Sequence, residues 1–191
     1  NGENILDAGG TGSNNNSIVL VGWGNNEVFS IFPKGSTAGL SHDDFGLVTL
    51  QSGNDSTAVG GSRMRAYHER FVWKNGLVVK DWRYVVRIAN INTTDLVGQI
   101  NTQALGAATE ITKMMSRSID RLPKLTGIKP AFYCNRTVLS HLRVGAMDKS
   151  NGMLSIEAAV NQFGTTIHNL MFMGIPVRLV DQLTSAEARV V

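Results

Sequence analysis

Between Leu96 and Leu122 the apolar residues Leu96, Ile100, Ala104, Ala108, Ile111, Met115, Ile119 and Leu122 recur at steps of three or four. That spacing places them on one stripe of an α-helix. Thr93, Thr94 and Asp95 can cap its start by accepting from otherwise unpaired first-turn amides, and Pro123 ends it. At 1.5 Å per residue the helix is a rod of roughly 40 Å. Gly98 and Gly106 each weaken it by about 1 kcal/mol relative to Ala, which allows a kink. A rod of that length must be covered by something, and most of the remaining apolar sequence reads as strands.

Ile18-Val-Leu-Val-Gly-Trp23 and Glu27-Val-Phe-Ser-Ile-Phe32 are strand candidates, and Gly24, Asn25 and Asn26 between them predict a tight hairpin. Pro33 to Gly46 reads as turn chemistry, Leu47 to Leu50 as a short strand, and Gln51 to Ser62 as an exposed polar loop. Arg65 to Trp73, Gly76 to Lys80 and Trp82 to Ile88 are rich in aromatic and β-branched residues and predict strands, with a hairpin turn at Lys74-Asn75-Gly76. From Ala131 a short apolar strand stops at Asn135 and a helix begins, with Val138, Leu139 and Leu142 on one face. A polar turn at Asp148 to Gly152 precedes further strands that end with Pro176 to Val180. Strands and helices without regular βαβ alternation predict the α+β class.

The charged fraction is 17%, below the usual share of about 25%, which suits a surface spent against neighbours. Net charge is +3, with no block of like charges that would mark a nucleic-acid arm. Cys134 is the sole cysteine, so an internal disulfide or a thiolate zinc site is excluded, and a buried apolar role is expected. No apolar run is long enough for a membrane-spanning helix, and the first residues lack the pattern of an export signal. The start at Asn rather than Met, together with the Gly, Asn and Ser content of residues 1–17, predicts a flexible linker or truncated N-terminal region of a longer product.

The chain offers little chemistry. His42-Asp43-Asp44, with His68, is the nearest thing to an acid/base or hard-cation cluster, and a hydrolase or nucleotide-binding enzyme would have to assemble its site around those four residues. A turn is the simpler use of an acidic pair flanked by glycines. Gly9 to Ser13 and Lys34 to Gly39 are Gly-rich, but neither ends Gly-Lys-Ser/Thr before a helix, so neither is a phosphate loop. Trp73, Trp82 and Tyr84, interleaved with Arg83 and Arg87, could stack bases, although a strand with one packed face accounts for them equally well. No catalytic residue, cofactor or metal is expected.

Two segments carry a likeness. Ala131-Phe-Tyr-Cys-Asn-Arg-Thr-Val-Leu-Ser-His-Leu142 and Met173-Gly-Ile-Pro-Val-Arg-Leu-Val-Asp181 resemble the paired "strand, Asn, helix" and "Gly-x-Pro-Val" segments of major capsid proteins of tailed bacteriophages with the Hong Kong 97-like fold. Phe32 to Gly46, Arg65 to Trp73, Lys80 to Asn90 and Glu187 to Val190 look like stretches of the same proteins, so the similarity covers most of residues 18–191. Val19 to Trp23 and Arg65 to Arg70 look like segments that follow the Gly-x-Pro-Val strand in many relatives, yet here they precede it, so the segment order looks permuted.

The resemblance implies a two-lobed subunit with a long spine helix, an N-terminal arm and an extended β loop. Residues 18–122 then supply peripheral-type strands and a spine at about 95–122, and residues 123–191 an axial-type lobe. Leu96, Ile100, Ile111, Met115 and Ile119 would pack the spine, while Asn135, Gly174 and Pro176 would shape the axial lobe. The function implied is that of a capsid subunit in phage or prophage, self-assembling into pentamers and hexamers that enclose DNA. Its partners would be copies of itself, with scaffold and portal proteins, DNA contacted non-specifically at most, and no membrane. It would reside in the virion, after assembly in the host cytoplasm.

Overall fold

The computed structural model describes residues 2–51, 63–93, 106–146, 154–160 and 166–190. They form a mixed α+β structure, mostly strands with two helices, in two compact units. One comprises residues 1–29 and 79–191, the other residues 30–78. The strands are β1 (Ile5–Asp7), β2 (Asn15–Trp23), β3 (Val28–Ile31), β4 (Leu40–Gln51), β5 (Arg63–Trp73), β6 (Gly76–Val79), β7 (Val85–Asn92), β8 (Lys129–Cys134), β9 (Leu154–Val160), β10 (Thr166–Phe172) and β11 (Ile175–Leu179). The helices are α1 (Gly106–Asp120) and α2 (Arg136–Ala146).

The larger unit is built on one mixed sheet of order β1-β7-β2-β8-β11-β10-β9. β2 is antiparallel to both neighbours, with Leu20 opposite Val86 on β7 and Phe132 on β8. β8 runs parallel to β11, and β1 parallel to β7. Ile18, Leu20, Val86, Ile88, Phe132 and Cys134 from the three central strands join Ile111, Met115 and Ile119 of α1 and Val138, Leu139 and Leu142 of α2 in one core. Phe132 and Phe172 meet edge to face at 5.8 Å. Each such large side chain contributes about 1.5–3 kcal/mol on burial, so the apolar stripes dictate which faces close.

The packing part of the helical stripe fits the expectation from Ile111 to Leu122, all four of whose large apolar side chains are buried. Leu96 and Ile100 lie outside the described residues, as do the loop from 52 to 62 and the turn from 147 to 153. Three local expectations are corrected. Gly24 to Asn26 does not close a hairpin: β2 and β3 pair in parallel at Trp23 and Val28, because the Glu27 carboxylate accepts from the Asn26 amide at 3.0 Å and turns the chain onward. Lys74 to Gly76 likewise joins strands that pair elsewhere, β5 with β4 and β6 with β3. Trp82–Tyr84 is a 3-10 turn, capped by Asp81, whose carboxylate accepts from the Arg83 amide at 3.0 Å.

Residues 2–17, expected as linker, carry β1 and the start of β2. The asparagines there make backbone-like bonds in the core instead of staying in solvent. Two residues of β7, Ala89 and Asn90, stand opposite the single residue Ser17 of β2, and Asn90 takes φ of 60° in this bulge. Asn tolerates that left-handed conformation better than most residues.

In the smaller unit β4 and β5 form a two-stranded antiparallel ribbon from Leu40 opposite Trp73 to Gln51 opposite Arg63. β4 thus begins well before Leu47, taking in His42, Asp43 and Asp44. At its base Gly39 has φ of 86°, and a Cβ there would strike the Lys74 carbonyl and the Phe32 ring, so only glycine fits.

Candidate functional site

Asn135 is where the larger unit is tied together. It follows β8 directly, and its side-chain oxygen accepts from the Val138 amide at 2.9 Å while its carbonyl accepts from Leu139 at 3.0 Å. This is an N-cap, the reason the chain turns from strand to helix at this residue. The Asn135 amide donates to the Asn16 side-chain oxygen and, at 3.4 Å, to the Ser185 hydroxyl. Asn16 in turn donates to the Ile91 carbonyl at 3.2 Å and to Thr93. β2, β7, α2 and the segment after β11 therefore meet in one buried polar network.

A second knot lies beside it. Asn90 donates to Asp7 at 2.7 Å and to the Val190 carbonyl at 2.8 Å, and its oxygen accepts from the Val190 amide at 2.8 Å. The Asn90 amide, with the Gly9 amide, holds the Asp7 carboxyl below the usual carboxylate range. Arg87 donates to the Ser17 hydroxyl at 3.1 Å and to the Glu187 carboxylate at 2.9 Å, and Ser17 donates to the same carboxylate. Asn15, Asn16, Asn90 and Asn135 are all buried. Of these only Asn135 stands out in the sequence. The other three sit in Asn-rich or strand-like context that resembles a linker or an ordinary strand, and only tertiary structure gathers them.

Met173 and Gly174 join β10 to β11 with φ of 49° and 79°, the two consecutive positive values of a tight hairpin turn between Phe172 and Ile175. A Cβ on Gly174 would meet nothing within 4 Å, so its role is conformational. Pro176 pairs with Met171, one residue before β11 joins β8 at Val177, so its missing N–H removes no bond from the central ladder. Cys134 is buried at the end of β8, and burial pushes its thiol up to about 12. His141 is shifted down by partial burial.

The four residues of the enzymatic alternative do not converge. Register puts His42 and Asp44 on one face of the ribbon and Asp43 on the other, where Phe45 stacks on His68 at 5.0 Å. Each is engaged locally: His42 with Glu69 at 3.3 Å, Asp43 with Arg70 at 2.8 Å, and Asp44 with the Gly46 amide at 2.8 Å. Among the described residues no group of three or more His, Cys, Asp or Glu could hold a metal. The stacking platform also dissolves, since Tyr84 is buried in the larger unit while Trp73 lies in the smaller one.

What the ribbon does present is apolar surface. Trp73, Phe71 and Tyr67 share one face by alternation and are 70%, 64% and 82% exposed, with Leu40 and Leu47 opposite Trp73 and Tyr67. The period-two pattern of residues 63–73 is legible in the sequence, but alternation alone cannot tell a face packed in its own chain from one left open. Among the described residues no helix is long and apolar enough to cross a membrane. No curated protein matches the chain significantly. The family model that does match, over residues 1–191, is described as Major capsid protein GP7.

Proposed function

The chain belongs to the major capsid protein GP7 family and is a structural subunit of a phage capsid, and from that premise we propose that it builds the shell as a two-lobed Hong Kong 97-like subunit. The order of the sheet supports this division. β1, β7 and β2, with α1 packed on β7, come from the first part of the chain. β8, β11, β10 and β9, with α2 packed on β9 and β11, come from the part after residue 122 and fit the axial-type lobe. α1 fits the spine, with Ile111, Met115 and Ile119 facing the core, and Asn135, Gly174 and Pro176 fit the fold-shaping positions of the axial side.

The β4–β5 ribbon fits the extended β loop. The observation that carries the mechanism is its open aromatic face, because a strip of Trp73, Phe71 and Tyr67 is stabilised by burial that the described chain does not provide. Laid on a neighbouring copy, it contributes apolar burial at every subunit contact. Repetition around five- and six-fold rings multiplies a modest interaction into a closed shell. The subunit acts without catalysis, assembling in the host cytoplasm with copies of itself, scaffold and portal, around DNA.

The test is the double substitution Tyr67→Ser with Phe71→Ser. Neither side chain supports the core of the larger unit, so the variant should keep the wild-type circular dichroism and melt. By negative-stain microscopy and sedimentation it should form few or no shells where the wild type forms them. Shells at the wild-type yield would overturn the assignment of the ribbon.

A further inference from the structure

Along α2 the residues Arg136, Leu139, Ser140 and Arg143 follow one another at helical spacing and line a cavity of about 490 Å³. Its other wall is Asn169 and Arg178, from β10 and β11, with apolar side chains of both strands between. Three guanidinium groups therefore surround a groove whose lining includes no carboxylate. Asp181 lies beside it and is taken up by Arg136 at 3.1 and 3.2 Å. Among the described residues neither Arg143 nor Arg178 has a salt-bridge partner, and both are exposed. The one acidic side chain close in register is Glu157, opposite Asn169 on β9.

Guanidinium stays charged at any working pH and presents a planar fork of donors matched to an oxyanion. Ser140 and Asn169 add neutral donors, and the apolar lining lowers the local dielectric, which strengthens each contact to a bound anion. A neighbouring copy could in principle supply a carboxylate. The chain's own acids are poorly placed to do so: Asp43, Glu69, Asp81 and Glu187 are already paired with Arg70, His42, Arg83 and Arg87. The abundant anion inside a capsid is the phosphodiester backbone.

We propose that the groove between α2 and β11 is an oxyanion site that takes backbone phosphates of the enclosed nucleic acid, with Arg143 and Arg178 as its principal ligands. This rests on the capsid reading above. Contacts of this kind fix position and carry no sequence information, so binding is indifferent to base sequence and falls steeply with salt.

The experiment is fluorescence anisotropy of a short labelled DNA duplex with the full chain, from about 50 to 200 mM salt. Arg143→Gln with Arg178→Gln should weaken binding about tenfold or more at the low-salt end and reduce the slope of log affinity against log salt by roughly 0.9 for each phosphate no longer neutralised. Arg63→Gln with Arg65→Gln, on the ribbon, should change affinity less than about twofold, the effect expected of removing charge without removing a ligand. Equal losses from both pairs would reduce the groove to general basic surface and overturn the proposal. In the wild-type protein, phenylglyoxal modification read by mass spectrometry should show Arg143 and Arg178 shielded by the duplex. Unchanged modification there would overturn it even if the variants misfold. Shell formation is scored separately by microscopy. A groove variant that binds DNA like the wild type but forms no shells makes the groove a contact between copies, so this proposal falls while the capsid reading stands. A wild-type chain that binds duplex through the groove yet never forms shells removes the assembly reading instead.

Discussion

A single asparagine shows how much depends on one side chain in this protein. Asn135 caps α2 with its oxygen and satisfies buried Asn16 with its nitrogen. Asn135→Ala removes the cap, worth about 1 kcal/mol, and leaves a buried acceptor without its donor, a further cost of about 1–3 kcal/mol. Urea denaturation should therefore show a loss of about 2–4 kcal/mol, several times the effect of an exposed substitution. Asp7 gives a residue-level pH dependence. Its carboxyl is held low mainly by the Asn90 amide, so the folded state favours the ionised form. That contribution is complete above the unfolded value near 4 and is lost as pH falls through the lower folded value. Stability should drop on acidification below about pH 4, and Asp7→Asn should lower stability at neutral pH while flattening that part of the acid limb. Unchanged acid limbs in the two proteins would remove Asp7 from the account.

Among the elements, the two helices and β8 were the most legible, and for a physical reason. Helical spacing of Ile111, Met115, Ile119 and Leu122 and of Val138, Leu139 and Leu142 reports a buried face directly, and all seven side chains are buried. Met115 is fully buried in the core, so Met115→Ala should cost about 2–5 kcal/mol. For a chain of this size each kcal/mol lowers the melting temperature by about 2–4 °C, readable by differential scanning calorimetry. The ribbon was half legible. Residues 65–73 announce a strand, but Leu40 to Gly46 reads as a turn, because His42, Asp43, Asp44 and Gly46 are poor strand formers. Pairing across the ribbon overrides that preference, with Arg70 holding Asp43 and Phe71 stacked on His42 at 4.5 Å. The bulge at Phe45 and Gly46, where glycine takes φ of 64°, absorbs the misfit. The hairpins expected at Gly24 to Asn26 and at Lys74 to Gly76 failed because local turn chemistry does not say which strand a strand will pair with. That choice is made by long-range partners such as β8 for β2 and β4 for β5. The arginine groove was invisible for the same reason: Arg136, Arg143 and Arg178 are brought together by β11 lying along β8.

Taken whole, the chain carries residues 30–78 as an insertion between β3 and β6. Every residue of the continuous core lies outside that stretch, and β3 and β6 pair with each other. Replacing residues 31–77 with a short Gly-Ser linker should accordingly leave a cooperatively melting protein that no longer forms shells. A linker variant that is unfolded by circular dichroism would show that the smaller unit is needed for folding as well as for assembly. The central strand carries one more consequence. Cys134 is the sole thiol, fully buried between β2 and β11 and shifted so far up that almost none of it is thiolate near neutral pH. A thiol reagent can reach it only when the sheet parts, so the labelling rate is a clock for opening of the subunit. Run on free subunits and on shells, that clock would read how much slower a subunit breathes once its neighbours hold it shut.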